Sequence, residues 1–264
     1  MCIMHSLHSH IAFLLSIICG EIIGDIQPIP SVNVRIVGGE ISDIRDIPYQ
    51  VSLSYNRFHR CGAVIIDRSW CLTAAHCLLN KNELLEESLM VLKAGTNELY
   101  SKGIEHQISK MIVHPQYDSR SFDYDIALIK VMQPFNFTDK VNAVELPAQN
   151  WHPHSNTIAT VSGWGKIKYS TKEISNVLRK VEVHILSPGV CNEKYPSFTP
   201  RMLCAGDLEN DKGSCQGDSG GPLVSCGKLL GIVSWSVDCG MKEFPAGYTK
   251  VSKMRDWIRR ETDI

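Results

Sequence analysis

Short β-type runs limit what this chain can fold into. They lie at residues 49–54 (YQVSLS), 63–66 (AVII), 126–131 (IALIKV), 157–165 (TIATVSGWG), 177–186 (VLRKVEVHIL) and 229–235 (LLGIVSW). Clusters of Gly, Pro, Asn and Asp separate them, which is the pattern of an all-β sandwich or barrel. One helix is legible, at residues 251–261, where Met254, Trp257 and Ile258 share a face opposite Lys and Arg. The length of 264 residues suits one large domain or two tightly joined halves. Residues 132–156, long and proline-bearing, read as the connection between them.

The start of the chain differs in kind. Residues 11–19 form an apolar run too short to cross a bilayer as a helix but suited to the core of a secretory signal peptide. Cleavage is placed between Gly20 and Gly24. A secreted chain meets an oxidising environment, and the cysteines fit one. Of the ten, Cys2 and Cys19 leave with the leader, and the even remainder favours disulfides over metal ligation. No CxxC pair and no HExxH is present, so neither metal nor cofactor is expected. The formal net charge is −1 and no basic run exceeds two residues. Charge therefore supports neither a nucleic acid nor an anionic membrane as partner. The sequon Asn136-Phe137-Thr138 is a candidate glycosylation site.

Residues 210–222, NDKGSCQGDSGGP, carry the chemistry. Ser219 stands among residues of little bulk, which lets other backbone approach its hydroxyl. A serine hydroxyl is a weak nucleophile until a base takes its proton. Histidine suits that task because an unperturbed imidazole titrates at ~6.5. His76 in LTAAHC is the candidate, and Asp125 in DYDIALI the candidate to hold its tautomer. Singly, these could be a turn, a surface histidine and a strand-end cap. Together, in the order His, Asp, Ser, they match one of the known solutions to acyl transfer.

With these strings beside IVGGE (residues 36–40), CGAVIIDRSWCLTAAHC, SGWG, GDSGGPLV and GIVSW, the chain resembles the chymotrypsin-like, or trypsin-fold, serine proteases. The likeness covers nearly everything after Arg35. It implies an all-β fold of two orthogonal antiparallel β-barrels with a C-terminal α-helix: residues 1–20 as signal peptide, 21–35 as activation propeptide and 36–264 as peptidase domain. Within the last, 36–150 is the first barrel, 151–250 the second and 251–264 the helix.

The resemblance also implies roles. His76 acts as base and then acid, Asp125 orients it, and Ser219 forms the acyl-enzyme. The amides of Gly217 and Ser219 form an oxyanion hole, and a side chain at Gly217 would obstruct it. Such donors are worth ~3 to 4 kcal/mol each. Cleavage of Arg35–Ile36 frees an amine that pairs with Asp218, whose partner in the precursor is His59. The implied disulfides are Cys61–Cys77, Cys191–Cys204 and Cys215–Cys239. Cys71 and Cys226 are left over, either joined to each other or, as preferred here, free and buried.

By the same resemblance, Gly213, Ser214, Gln216, Ser234, Trp235, Ser236 and Ala246 bind substrate. Gly213 stands at the pocket base where trypsins carry aspartate, and Ser236 and Ala246 replace wall glycines. A neutral, narrowed pocket favours apolar residues before the scissile bond. Asp211 or Asp238 would restore Lys/Arg preference if either reached the pocket. The loop at residues 95–105, a calcium site in some relatives, has too few acids here to support one. Expected partners are protein or peptide substrates, an activating trypsin-like protease and protein inhibitors, with the protein itself a monomer. The rival from another class is a non-catalytic homologue acting as a binding regulator.

Overall fold

The computed structural model describes residues 37–168 and 170–264. The expected leader, Arg35 and Ile36 lie outside the described residues. In chain order the strands are β1 (Glu40–Ile41), β2 (Gln50–Tyr55), β3 (Phe58–Ile65), β4 (Trp70–Thr73), β5 (Leu79–Asn80), β6 (Glu83–Leu84), β7 (Met90–Ala94) and β8 (Ile104–Val113). They continue as β9 (Ala127–Val131), β10 (Ile158–Gly163), β11 (Arg179–Ile185), β12 (Met202–Gly206), β13 (Pro222–Ser225), β14 (Lys228–Trp235) and β15 (Ala246–Lys250). The helices are α1 (Pro188–Lys194) and α2 (Arg255–Thr262).

Six strands close a first barrel in the order β2-β3-β4-β9-β8-β7. A second ring runs β11-β10-β13-β14-β15-β12 and closes through the β11–β12 pair. Every one of these pairings is antiparallel. Alternation explains β11: Val181, Val183 and Ile185 are buried while Glu182 and His184 face solvent. Two segments sit apart from their neighbours in sequence. β1 pairs with β11 and so joins the second barrel. α2, which follows the second barrel, buries Trp257 and Ile258 in the core of the first.

α1 was not legible in the sequence. Ser187 caps it by accepting from the Val190 amide, and Pro188 opens its first turn. The barrels meet through glycine. A Cβ on Gly62 would lie 2.9 Å from Gly221, so backbone packs against backbone at the seam. Ser162 Oγ donates to Gln50 Oε1 across the same seam at 2.7 Å.

The three implied disulfides are present: Cys61–Cys77, Cys191–Cys204 and Cys215–Cys239. For the other two cysteines the preferred reading, free and buried, holds for Cys71 and needs correction for Cys226. Cys71 is free and buried in β4. Cys226 is exposed in the β13–β14 turn and is disulfide-bonded. A tight turn at the surface and the interior of a barrel strand are different environments, so the two cysteines do not share one state.

Candidate active site

Asp125 is completely buried just before β9. Burying a carboxylate requires partners for its oxygens, and both barrels supply them. Its Oδ1 accepts from the His76 amide at 3.0 Å, and its Oδ2 lies 2.8 Å from His76 Nδ1. From the second barrel, Ser234 Oγ donates to the same Oδ2 at 2.5 Å, and Thr249 Oγ1 donates to the Asp125 carbonyl at 2.6 Å. His76 lies in a 3₁₀ turn (Ala75–Leu78) that Cys77 ties to Cys61. The ring of Phe122 meets the imidazole edge-on, with centroids 5.9 Å apart.

Ser219 is half-buried on a tight loop. Its carbonyl accepts from the Gly62 amide at 2.7 Å, which holds the loop to the first barrel. A Cβ on the next residue, Gly220, would be 2.2 Å from Thr73 Oγ1 and 3.2 Å from the Ala74 amide. The loop is thus seated on the segment that leads into His76. Among the described residues Ser219 Oγ makes no hydrogen bond, and His76 Nε2 has only a long contact, to Cys77 Sγ at 3.8 Å. A nucleophile and base expected to exchange a proton need not be hydrogen-bonded before substrate is present.

The amides of Gly217 and Ser219 donate to no acceptor among the described residues. Gly217 has φ of +99°, and a Cβ there would stand 3.0 Å from Gly165 Cα. Its missing side chain is therefore explained by loop packing as well as by access to the amides. The Gly217 carbonyl lies 2.9 Å from His59 Nε2, whose Nδ1 meets Ser52 Oγ. His59 does not touch Asp218 here.

Asp218 is also completely buried. Its Oδ1 accepts from the Gly165 amide at 2.7 Å and its Oδ2 from the Cys215 amide at 2.9 Å. Desolvation still outweighs these bonds and pushes its carboxyl up to about 6. The SGWG string now has a physical meaning. A Cβ on Gly163 or Gly165 would fall 2.2 or 2.5 Å from the Asp218 carboxylate, so both glycines make room for it.

Around the expected pocket, Gly213 is buried and a Cβ there would lie 3.1 Å from Gly240 Cα. Ser214 Oγ is 3.5 Å from Tyr248 OH. Ala246 is buried and Ser236 half-buried. Gln216 is exposed, its carbonyl accepting from Lys166. Trp235 stacks edge-on against Tyr195 at 4.8 Å, and Gly247 must lack a side chain because a Cβ would enter the Trp235 ring. Asp211 is exposed and accepts from the Lys242 amide; Asp238 is half-buried and forms no ion pair among the described residues.

In the loop at residues 95–105, Glu105 pairs with Lys93 at 3.6 Å and Thr96 bonds within its own turn. The single cluster of metal-ligand type among the described residues is Cys61, His76 and Cys77, and its two sulfurs are spent on the disulfide. Sequence reasoning missed the hydroxyl bonds of Ser234 and Thr249 and the space left by Gly163 and Gly165. Each acts on a residue at least 53 positions away, beyond any local pattern.

The family profile described as Trypsin matches residues 36–258. A protein named trypsin from Simulium vittatum is 41% identical over 229 residues, spanning 84% of this chain and 90% of the relative. The vitellin-degrading protease of Bombyx mori is 37% identical over 248 residues, 92% of each chain. Among solved structures, neuropsin, a serine protease of mouse brain, matches with a TM-score of 0.79 at 35% identity, covering 86% of this chain and 100% of that one. Profile, relatives and the pair of closed barrels agree: this chain belongs to the trypsin family and is a serine endopeptidase.

Proposed function

We propose that the protein is a secreted serine endopeptidase, made as an inactive precursor, that cleaves after apolar residues through an acyl-enzyme on Ser219. The observation that carries this reading is the hold on Asp125 from both barrels, which leaves His76 Nδ1 bonded to it and Nε2 facing away.

In the first step His76 Nε2 takes the Ser219 proton as Oγ attacks the substrate carbonyl carbon. The carbonyl oxygen becomes an oxyanion, which accepts from the unused amides of Gly217 and Ser219. His76 then passes its proton to the leaving amine, and the C–N bond breaks. Water enters by the same route, giving one proton to His76 and its hydroxyl to the acyl carbon. The proton returns to Ser219 Oγ as the acid product leaves. The substrate main chain adds as a strand beside Ser234–Ser236, past the end of the β13 register at Ile232.

Activation follows from Asp218. A carboxyl held at about 6 by burial gains most from a new cation beside it. Cutting Arg35–Ile36 frees that cation as the Ile36 amine. Val37 already bridges Gly213, five residues from Asp218. Loss of residues 1–35 leaves a formally neutral chain that acts as a monomer. Asn136 is exposed and open to a glycan.

The apolar preference rests on Gly213 and on Asp211 being engaged elsewhere. The test is to cut the precursor with a trypsin-like protease and expose it to an organophosphate and to peptides that vary only before the scissile bond. Labelling of Ser219 after the cut alone, with Phe or Leu favoured over Arg, is expected. Labelling of a Ser219→Ala protein, or clear Arg preference, would overturn the corresponding half.

A further inference from the structure

We infer that a cavity beside α1, distinct in its lining from the residues assigned to catalysis, binds a small organic anion with an apolar body, and that Lys250 and Lys253 hold its charged group. The cavity has a volume of ≈ 440 Å³, within the range of small-molecule sites. None of its lining residues belongs to the triad, the oxyanion loop or the specificity pocket. Ile185, Leu186, Phe198, Met202 and Leu203 supply apolar wall, and the Cys191–Cys204 disulfide stiffens it. His152, Lys250 and Lys253 also line it, and no Asp or Glu does.

Lys250 is the informative residue. It ends β15 and is only 8% exposed, yet it forms no ion pair among the described residues. Its Nζ donates to His152 Nδ1 at 2.5 Å, so that nitrogen carries no proton. Lys253 Nζ donates to a neutral acceptor, Asn150 Oδ1, at 2.9 Å. A buried ammonium needs an opposite charge, and among the described residues neither buried Lys250 nor half-buried Lys253, both lining this largely apolar cavity, has one. Burial, with Lys253 adding repulsion, holds the Lys250 amine below its ordinary range. A carboxylate or sulfonate would relieve both effects, while its hydrocarbon part displaced water from the apolar wall. A cavity of this volume suits a free amphiphile rather than a macromolecule.

The experiment is calorimetric titration of the full-length protein with decanoate below its micelle concentration, against decan-1-ol as the uncharged analogue. Decanoate should bind one to one, at least about ten-fold more tightly than the alcohol. Lys250→Met should weaken decanoate about ten-fold or more and leave the alcohol unchanged. Should Lys250→Met fail to fold, Lys253→Gln should still weaken decanoate several-fold, and Phe198→Glu should abolish binding by repulsion. No binding of decanoate, equal binding of the alcohol, or full affinity in the folded lysine variants would each overturn the inference. An adventitious surface interaction would show as stoichiometry well above one, and that too counts against it.

Discussion

Ser234 donates its hydroxyl to the Asp125 carboxylate at 2.5 Å, on the same oxygen that holds His76. The two residues are 109 positions apart and come from different barrels. Ser234 was expected only to bind substrate. Its side chain instead helps satisfy a fully buried carboxylate. Ser234→Ala should lower kcat by about ten-fold, the effect of losing a hydrogen bond to a charged group, with KM changed less. Steady-state kinetics on the activated enzyme would check this, and an unaltered kcat would remove Ser234 from the assembly.

The glycines flanking Trp164 are predicted to be intolerant for a reason of space. Gly163→Ala or Gly165→Ala drives a methyl into the Asp218 carboxylate. Either should cost about 3 kcal/mol or more of stability. Gly227→Ala is the control: nothing lies within 4 Å of its Cβ, and only its positive φ opposes it, at about 1 kcal/mol. Denaturant midpoints for the three variants should separate by that margin, and similar losses would refute the spatial account.

Two buried groups should give the uncleaved protein opposing pH dependences. Asp218 rises from 3.8 to about 6 in the fold because burial disfavours its charge. Its contribution is present below pH 3.8 and lost as pH rises through about 6, a change of about 3 kcal/mol. His114, buried against Tyr124 and Trp257, falls from 6.5 to about 4, chiefly through desolvation. Its contribution is present above pH 6.5 and lost as pH falls through about 4. Asp218→Asn should therefore make stability climb more steeply with pH across this window than in the parent protein, and His114→Gln should make it climb less steeply, since buried His59 and His106, also held below their ordinary range by desolvation, remain. Thermal melts at stepped pH would test both signs, and a variant whose slope changes in the opposite sense from the parent would refute its assignment.

Installing an acid at Gly213, the proposed pocket base, is predicted to fail as a specificity switch. The Cβ of Gly213→Asp would meet backbone, Gly240 Cα, at 3.1 Å, which cannot give way as a side chain tip could. The variant should lose activity on apolar substrates without gaining efficient cleavage after Arg. Ratios of kcat/KM for Phe and Arg peptides would decide, and a gain on Arg of about a hundred-fold or more would show that the loop adapts.

Legibility varied along the chain for physical reasons. Strands with a continuous apolar run, such as β9 and β14, stood out. β8 did not, because His106 and Ile108 are its only fully buried residues and the remainder is polar or partly exposed. β4 has four residues, too few to show a period. The seven-residue α1 is announced only by Ser187-Pro188. Cys226 was misjudged because cysteine counts say nothing of where a turn points its side chain.

The order of short strings along the chain determined, unaided, the family and with it the paired barrels and three disulfides. That was possible because those strings meet local demands: glycines at tight loops, alternation along strands and small residues around a nucleophile. Only the folded chain decided which groups share a buried charge. Ser234 and Thr249 reach Asp125, Gly163 and Gly165 clear space for Asp218, and Lys250 is left facing an apolar cavity. These are relations between residues far apart in sequence, and the free energy of a buried charge depends on everything packed around it rather than on its neighbours along the backbone.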